Sequence, residues 1–334
     1  MTGTENSRSA VGLAGTSGPA GTRIAGLGHY RPERVVSNDE LSSRMETNDE
    51  WIRARVGIQE RRFAGPDDSV VSMGAAAAAG ALAEAGLQPA DVDTVIVATC
   101  TMPTQIPHAA TQVAGRLGID APGAFDLNAA CAGFCYGLAV SSQLIRSGAA
   151  RTVLLVGSEK LTDWIDPTDR ANAIIFADGA GAAVITGAAT EQIGPVAWGC
   201  APDLTDTISI ADRNSFVHQE GQSVFRWATS AIAPVALTAV ELAGVALSDI
   251  DVLVTHQANL RIIDAIARKI VAAGARPDLR VAQDIVTTGN TSSASIPVAL
   301  DRMRAAGQAR SGDLVLAIGF GAGLTYAGQV FRCP

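Results

Sequence analysis

A repeat constrains this chain more than any other feature. The stretch ALAEAGLQPADVDTVIV (81–97) aligns without gaps on AVELAGVALSDIDVLVT (239–255). The alignment pairs Ala81 with Ala239, Ala85 with Ala243, Gly86 with Gly244, Asp91 with Asp249 and Asp93 with Asp251. Each copy reads as the end of an Ala-rich helix stopped by glycine, a polar loop, and an apolar strand of the kind a parallel sheet covers on both faces. A helix–loop–strand unit recurring half a chain later implies two α/β halves on one plan, with chance similarity of Ala-rich helices as the alternative. At the same offset Asp126-Leu127 falls on Asp284-Ile285, so the strand before Cys131 should match a strand before GNTSSAS. The expected division is a disordered tail over 1–20, a first half over 21–190 and a second over 191–334.

The stretch FDLNAACAGFCYGL (125–138) is the most suggestive chemically. It reads as a short strand, Ala124 to Leu127, and an Ala/Gly-rich helix opening near Cys131. Small neighbours let backbone and substrate approach a thiol, and the positive end of a helix favours thiolate. A lone cysteine is more often an inert buried hydrophobe, so a nucleophile needs a base and an oxyanion site from elsewhere. If the halves are related by a pseudo-twofold, equivalent strand ends face each other. The end of 252–256 then brings His256, and the loop after 285 brings Asn290, toward Cys131. A histidine at a strand's carboxyl end holds the usual crevice position of α/β proteins; a satisfied loop histidine and an ordinary turn asparagine are the alternatives. GFGAGLTYAG (319–328) reads as a tight turn or as a source of backbone N–H groups for an oxyanion.

The remaining elements follow from pattern. A first strand is expected in RIAGLGHYRP (23–32). Thr47 and Glu50 have capping-box spacing for a helix that stops at Gly57. Trp51 and Arg55 share a face of that helix, as core aromatic and solvated charge or as a grip on a nucleotide base and its phosphates. Helices are expected over 69–86 and 109–118, and strands over 94–99 and 151–157. AIIFAD (173–178) and GAAVITG (181–187) flank Asp178-Gly179 and read as a hairpin.

Composition excludes several classes. The 334 residues are 48% hydrophobic and only 17% charged, which suits a heavily buried α/β protein. No apolar run reaches the ~18 residues of a membrane span, and the N-terminus lacks a basic start followed by an apolar block. A formal charge of −8 argues against nucleic acid as the main partner. Five scattered cysteines (Cys100, Cys131, Cys135, Cys200, Cys333) with no export signal suit a reduced, cytoplasmic chain, and none has the spacing of a zinc site.

Taken together, these stretches resemble β-ketoacyl-acyl carrier protein synthase III, a thiolase-fold enzyme. The resemblance runs from about residue 22 to the end, through ETNDEWIRARVGI (46–58), NAACAGF around Cys131, DPTDR (166–170), FADGAGA (176–182), HQANLRI at His256, GNTSSAS at Asn290 and GFGAG (319–323). Any one of these is weak; the ordered set is specific. The resemblance implies an α/β, thiolase-like fold of duplicated halves in αβαβα layers, no cofactor and no metal.

By the same resemblance Cys131 is the nucleophile that takes an acyl starter from coenzyme A, and His256 and Asn290 drive decarboxylation of malonyl-carrier protein. The N–H groups of Cys131 and Ala322 form the oxyanion hole, Ala322 standing where the family commonly has glycine. Trp51 and Arg170 sandwich the coenzyme A adenine and Arg55 contacts a phosphate. Ile106, Phe176, Phe225 and Phe320 shape the acyl and malonyl pocket, Ile106 lying on a segment (105–107) that a partner subunit inserts, which implies a homodimer. Arg226, Arg261 and Arg268 match basic positions that dock the acyl carrier protein. The stretch between Gly199 and Gly221 is shorter than in many members, which leaves starter preference open. Two other functions compete: a pathway-specific priming ketosynthase or acyltransferase, and an inactive partner subunit, although the latter should have lost Cys131.

Overall fold

In the computed structural model, residues 13–334 are described. The first half contributes β1 (Gly21–Tyr30), β2 (Arg34–Ser37), α1 (Asn38–Ser42), α2 (Asp49–Val56), β3 (Glu60–Phe63), α3 (Val70–Ala85), β4 (Thr94–Ala98), α4 (Ala109–Leu117), β5 (Gly123–Leu127), α5 (Gly133–Arg146), β6 (Thr152–Lys160) and β7 (Asp178–Ala188). The second contributes β8 (Ala197–Cys200), β9 (Ile208–Ser209), β10 (His218–Gln219), α6 (Gly221–Ala243), β11 (Val252–Thr255), α7 (Leu260–Ala272), β12 (Arg280–Val281), α8 (Ile285–Thr288), α9 (Ser295–Ala305), β13 (Leu314–Phe320) and β14 (Thr325–Arg332).

Two mixed five-stranded sheets result, ordered β1-β7-β6-β4-β5 and β8-β14-β13-β11-β12. In both, four strands run the same way and only the second in order, β7 in one sheet and β14 in the other, runs antiparallel to its neighbours. Helices α5 and α9 touch both sheets, while α3 and α4 cover the outer face of the first and α6 and α7 that of the second. The layers are therefore α, β, α, β, α, a thiolase-like arrangement. Phe134, Leu138, Leu155, Ile296, Leu300, Val315 and Phe331 fill the space between the sheets.

The repeat recurs in the hydrogen bonds. Gly86 and Gly244 both end their helices in the left-handed conformation, at φ 67° and 69°, a position glycine takes without strain. Asp91 accepts from the Gln88 N–H (2.8 Å) as Asp249 does from the Ala246 N–H (3.0 Å). Asp93 accepts from the Arg151 N–H (2.9 Å) and Asp251 from the Leu314 N–H (3.0 Å). Each aspartate thus holds the start of the parallel strand paired beside its own, β6 beside β4 and β13 beside β11.

Several expectations need correction. Ser69, with Ser72 three residues on, caps α3, but α2 is capped by Asn48, whose Oδ1 accepts from the Trp51 N–H (2.8 Å). The Thr47 hydroxyl is buried with no hydrogen-bond partner among the described residues. The 173–187 hairpin does not form. Asp178 is fully buried and accepts from the Ala64 N–H, the Thr162 N–H and the Thr162 hydroxyl, so it cannot sit in a solvated turn. Instead β7 begins at Asp178 and continues through Gly179, opposite Lys160 and Glu159. The strand before GNTSSAS lies at Arg280–Val281, not 284–285. There the chain has already become helical, with Asp284 paired to Arg302 and the Ile285 N–H donating to Gln257 Oε1.

Two segment readings also change. Residues 1–12 of the expected tail lie outside the described residues, and Gly18 is docked, its N–H donating to the Arg146 carbonyl (3.0 Å). Helix α6 is long and apolar enough on average to span a membrane by length and composition, although Arg226 and Glu241 interrupt its apolar run. It lies against β14, β13 and α7 as the outer cover of the second sheet.

Candidate active site

The strand ends converge on one cavity of about 1300 Å³. Its lining includes Cys131, His256 and Asn290, together with Phe320, Gly321 and Ala322. Cys131 sits in a single 3-10 turn (Ala130–Ala132) between β5 and α5. Ala130 is held at φ 46°, a strained value for a residue with a Cβ. Across from this turn, β13 ends in Gly319-Phe320, and Gly321 follows it. A Cβ on Gly319 would lie 2.9 Å from the Ala132 Cα, and one on Gly321 would lie 2.7 Å from the Cys131 Cβ. These glycines let the end of β13 reach the thiol turn.

Burial pushes the Cys131 thiol up to about 12, while the Ser292 hydroxyl and the N–H groups of Cys131 and Ala322 pull it down. The two N–H groups thus converge on the sulfur, where a bound thioester would develop negative oxygen. Phe176 makes an isolated parallel bridge with Asn290, so the non-hairpin turn over 173–176 helps hold the cavity wall.

His256 follows the last residue of β11, and its N–H donates to the Ile318 carbonyl (2.7 Å). The ring is buried, edge-on to Phe320 with centroids 5.3 Å apart, and its Nδ1 lies 2.7 Å from Ser295 Oγ. Burial lowers its pKa to about 3, so the imidazole is neutral at physiological pH. Asn290 Oδ1 accepts from the Ser292 N–H (2.8 Å), which leaves its NH₂ group for the cavity. Neutral imidazole and amide are both hydrogen-bond donors suited to an enolate oxygen.

Four functional candidates were missed from sequence. Glu159 is fully buried on β6, and its carboxylate accepts from Thr99 Oγ1 (3.1 Å), Thr101 Oγ1 (2.6 Å), the Cys100 N–H, Ser292 Oγ (3.1 Å) and Ser293 Oγ (2.8 Å). It ties the end of β4 to the segment carrying Asn290. Cys100 lines the cavity, and burial followed by the Glu159 charge raises its pKa. A carboxylate ending an apolar strand and a run of serines after Asn290 were the available signals for Glu159, Ser292 and Ser295.

At the cavity mouth, Trp51 carries the Arg170 guanidinium 3.8 Å from its ring centroid and that of Arg55 at 5.7 Å. Arg170 and Trp51 are already in stacking contact, and an adenine between them needs roughly double that separation. A base held between them, as the resemblance implies, would require the Arg170 side chain to swing away. Phe176 and Phe225 line the cavity as expected. Ile106 does not line its own chain's cavity and is 84% exposed. The shortened segment supplies Ile208, Ile210, Arg213 and Val217 to the wall. Arg261 and Arg268 border a smaller cavity of about 510 Å³ with Phe225, and Arg226 lies on α6 with Nη2 near Ser223 Oγ (3.3 Å).

Comparison with known proteins bears on the family and the fold. The family described as 3-oxoacyl-[acyl-carrier-protein (ACP)] synthase III matches residues 125–202, and its C-terminal part matches 240–333. The chain is 47% identical over 317 residues to beta-ketoacyl-[acyl-carrier-protein] synthase III 4 of Streptomyces coelicolor, covering 94% of this chain and 99% of the relative. Among solved structures it resembles the priming beta-ketosynthase from the R1128 polyketide biosynthetic pathway, with a TM-score of 0.93 and 40% identity over 97% of this chain and 99% of that one. It also resembles 3-oxoacyl-[acyl-carrier-protein] synthase III from Aquifex aeolicus, with a TM-score of 0.89 and 36% identity over 94% of this chain and 100% of that one.

Proposed function

The chain belongs to the β-ketoacyl-[acyl-carrier-protein] synthase III family of condensing acyltransferases, and on that premise we propose that it joins a short acyl starter from coenzyme A to malonyl-carrier protein at Cys131. One observation carries the proposal: a thiol under two convergent N–H groups shares a cavity with a neutral imidazole and an amide. The thiolate of Cys131 attacks the acyl-coenzyme A thioester, and the N–H groups of Cys131 and Ala322 hold the tetrahedral oxyanion. The carbon–sulfur bond to coenzyme A breaks, and the departing thiolate takes the proton that Cys131 gave up. Malonyl-carrier protein then loses carbon dioxide, and the electron pair of the broken carbon–carbon bond becomes an enolate whose oxygen is held by His256 and Asn290. The enolate carbon attacks acyl-Cys131, the carbon–sulfur bond breaks, 3-ketoacyl-carrier protein leaves, and the freed Cys131 thiolate takes one proton from solvent to restore the thiol.

Trp51, Arg55 and Arg170 are the proposed coenzyme A contacts, and Arg226, Arg261 and Arg268 the proposed carrier-docking patch. Strand β5 is an open sheet edge, and Phe125 on it and Ile106 nearby are exposed. An unpaired edge flanked by apolar side chains supports a homodimer in which each Ile106 closes the partner subunit's cavity.

The test is sequential. Acetyl-coenzyme A should add one acetyl mass to Cys131, and malonyl-carrier protein should then discharge it as acetoacetyl-carrier protein. Acylation without discharge would support a transferase instead, and no acylation of Cys131 by any acyl group would support an inactive partner. The likeness to a polyketide-priming ketosynthase favours a second reading, in which the same chemistry primes a specialised pathway. Competition between a fatty-acid carrier and a polyketide carrier separates the two.

A further inference from the structure

The proposed decarboxylation requires His256 to present a proton, not a lone pair, to the thioester oxygen, so one imidazole tautomer is productive. We propose that Ser295 sets that tautomer, holding the imidazole proton on Nε2; this inference rests on the condensing role given to His256 above. Ser295 touches neither substrate nor reacting atoms in this scheme and is a positioning residue.

One buried hydroxyl decides where the ring proton sits. Ser295 is buried, and its Oγ lies 2.7 Å from His256 Nδ1. The Gln257 N–H donates to the same oxygen at 3.2 Å. A hydroxyl has one proton and two lone pairs, and Gln257 takes one lone pair. Among the described residues the only acceptor bonded to Ser295 Oγ is His256 Nδ1. If Nδ1 carried the proton, the hydroxyl would accept twice and its own proton would be buried without an acceptor, which native structures avoid. The hydroxyl therefore donates to Nδ1, and the proton of the neutral ring sits on Nε2.

The helix supplies a second, independent reason. Ser295 is the first residue of the 11-residue helix α9, so Nδ1 meets the positive end of its dipole. A lone pair there is favoured and an N–H disfavoured. Phe320 shields the ring edge-on, and among the described residues no carboxylate hydrogen-bonds the ring to draw a proton onto Nδ1 or to favour imidazolium. With Nε2 protonated and the ring neutral, His256 cannot also accept the Cys131 proton. The two half-reactions then depend on His256 unequally: decarboxylation needs it as donor, and acylation does not need it as base.

Nitrogen-15 NMR of histidine-labelled protein, with His256→Gln to assign the signal, reads the tautomer directly. The expected wild-type spectrum shows a pyridine-like Nδ1 and a protonated Nε2 from pH 5.5 to 8. In Ser295→Ala the signals should move toward a tautomer mixture. Decarboxylation of malonyl-carrier protein should fall on the order of 10- to 100-fold in kcat with little change in KM, as when an orienting hydrogen bond to a functional histidine is removed. Acylation of Cys131 by acetyl-coenzyme A should stay within about twofold, since its oxyanion donors are untouched. Ser295→Thr keeps the hydroxyl and should restore both spectrum and kcat. A protonated Nδ1 in wild type would overturn the proposal whether or not the variants fold. So would equal losses in both half-reactions, or unchanged decarboxylation in Ser295→Ala. A wild-type protein that shows the Nε2–H tautomer yet never decarboxylates malonyl-carrier protein would overturn the functional reading instead, and leave the tautomer assignment standing.

Discussion

Gly321→Ala tests whether the contact between the end of β13 and the thiol turn sets the geometry of acyl transfer. The new Cβ would lie 2.7 Å from the Cys131 Cβ, 2.8 Å from its N and 3.0 Å from its Sγ. Carbon atoms in contact settle near 3.5–4.0 Å, so the two segments must separate by about 1 Å. That opening falls between the two N–H groups that converge on the sulfur, one on each segment. A misplacement of about 1 Å near reacting atoms costs roughly 100-fold in rate, and the overpacking costs about 1–3 kcal/mol of stability. Gly323→Ala is the control: φ is 76° there, but the nearest neighbour of a new Cβ is Thr325 Cγ2 at 3.4 Å. It should lower stability by about 1 kcal/mol through the left-handed backbone and leave acylation nearly intact. Intact-mass kinetics of acetyl-Cys131 formation, with thermal unfolding alongside, reads both effects. Acylation within threefold of wild type in Gly321→Ala, or an equal loss in Gly323→Ala, would refute the reasoning.

Three further outcomes follow from the same structure. Asn290→Ala should still acquire an acyl group on Cys131 but lose malonyl decarboxylation on the order of 100-fold; a block of acylation as deep as that of decarboxylation counts against its role. His256 titrates near 3 in the folded chain against its ordinary 6.5, so the unfolded chain binds a proton first. Its contribution is complete above pH 6.5 and declines as the pH falls toward 3, by about 2 kcal/mol at pH 5. Denaturant curves at pH 7.5 and 5 should show that loss in wild type and a smaller one in His256→Gln. Charge reversal at Arg261 and Arg268 should raise KM for malonyl-carrier protein, more so at low salt, while sparing acylation by free acetyl-coenzyme A; equal effects on both reactions would move the docking patch elsewhere.

The halves were legible from sequence because their determinants are local. Gly86 and Gly244 mark helix ends through φ, Asp91 and Asp249 close the same short loop, and the apolar strands after Asp93 and Asp251 announce a sheet covered on both sides. Cys131, His256 and Asn290 could be named from motif order, and the structure gathers them around one cavity. Tertiary contacts decided the rest. Asp178-Gly179 has the local signature of a turn, yet three donors from Ala64 and Thr162 draw it into a buried strand. Thr47 has capping-box spacing, but Asn48 reaches the free Trp51 N–H instead. Glu159, Ser292 and Ser295 acquire meaning only when β6 and the start of α9 meet beneath the cavity, 133 residues apart for the Glu159–Ser292 hydrogen bond. Periodicity, caps and glycine stops depend on neighbours a few residues away, and a sequence displays them. The partner of a buried hydroxyl or carboxylate depends on which distant strand is folded against it, and only the packed chain determines that.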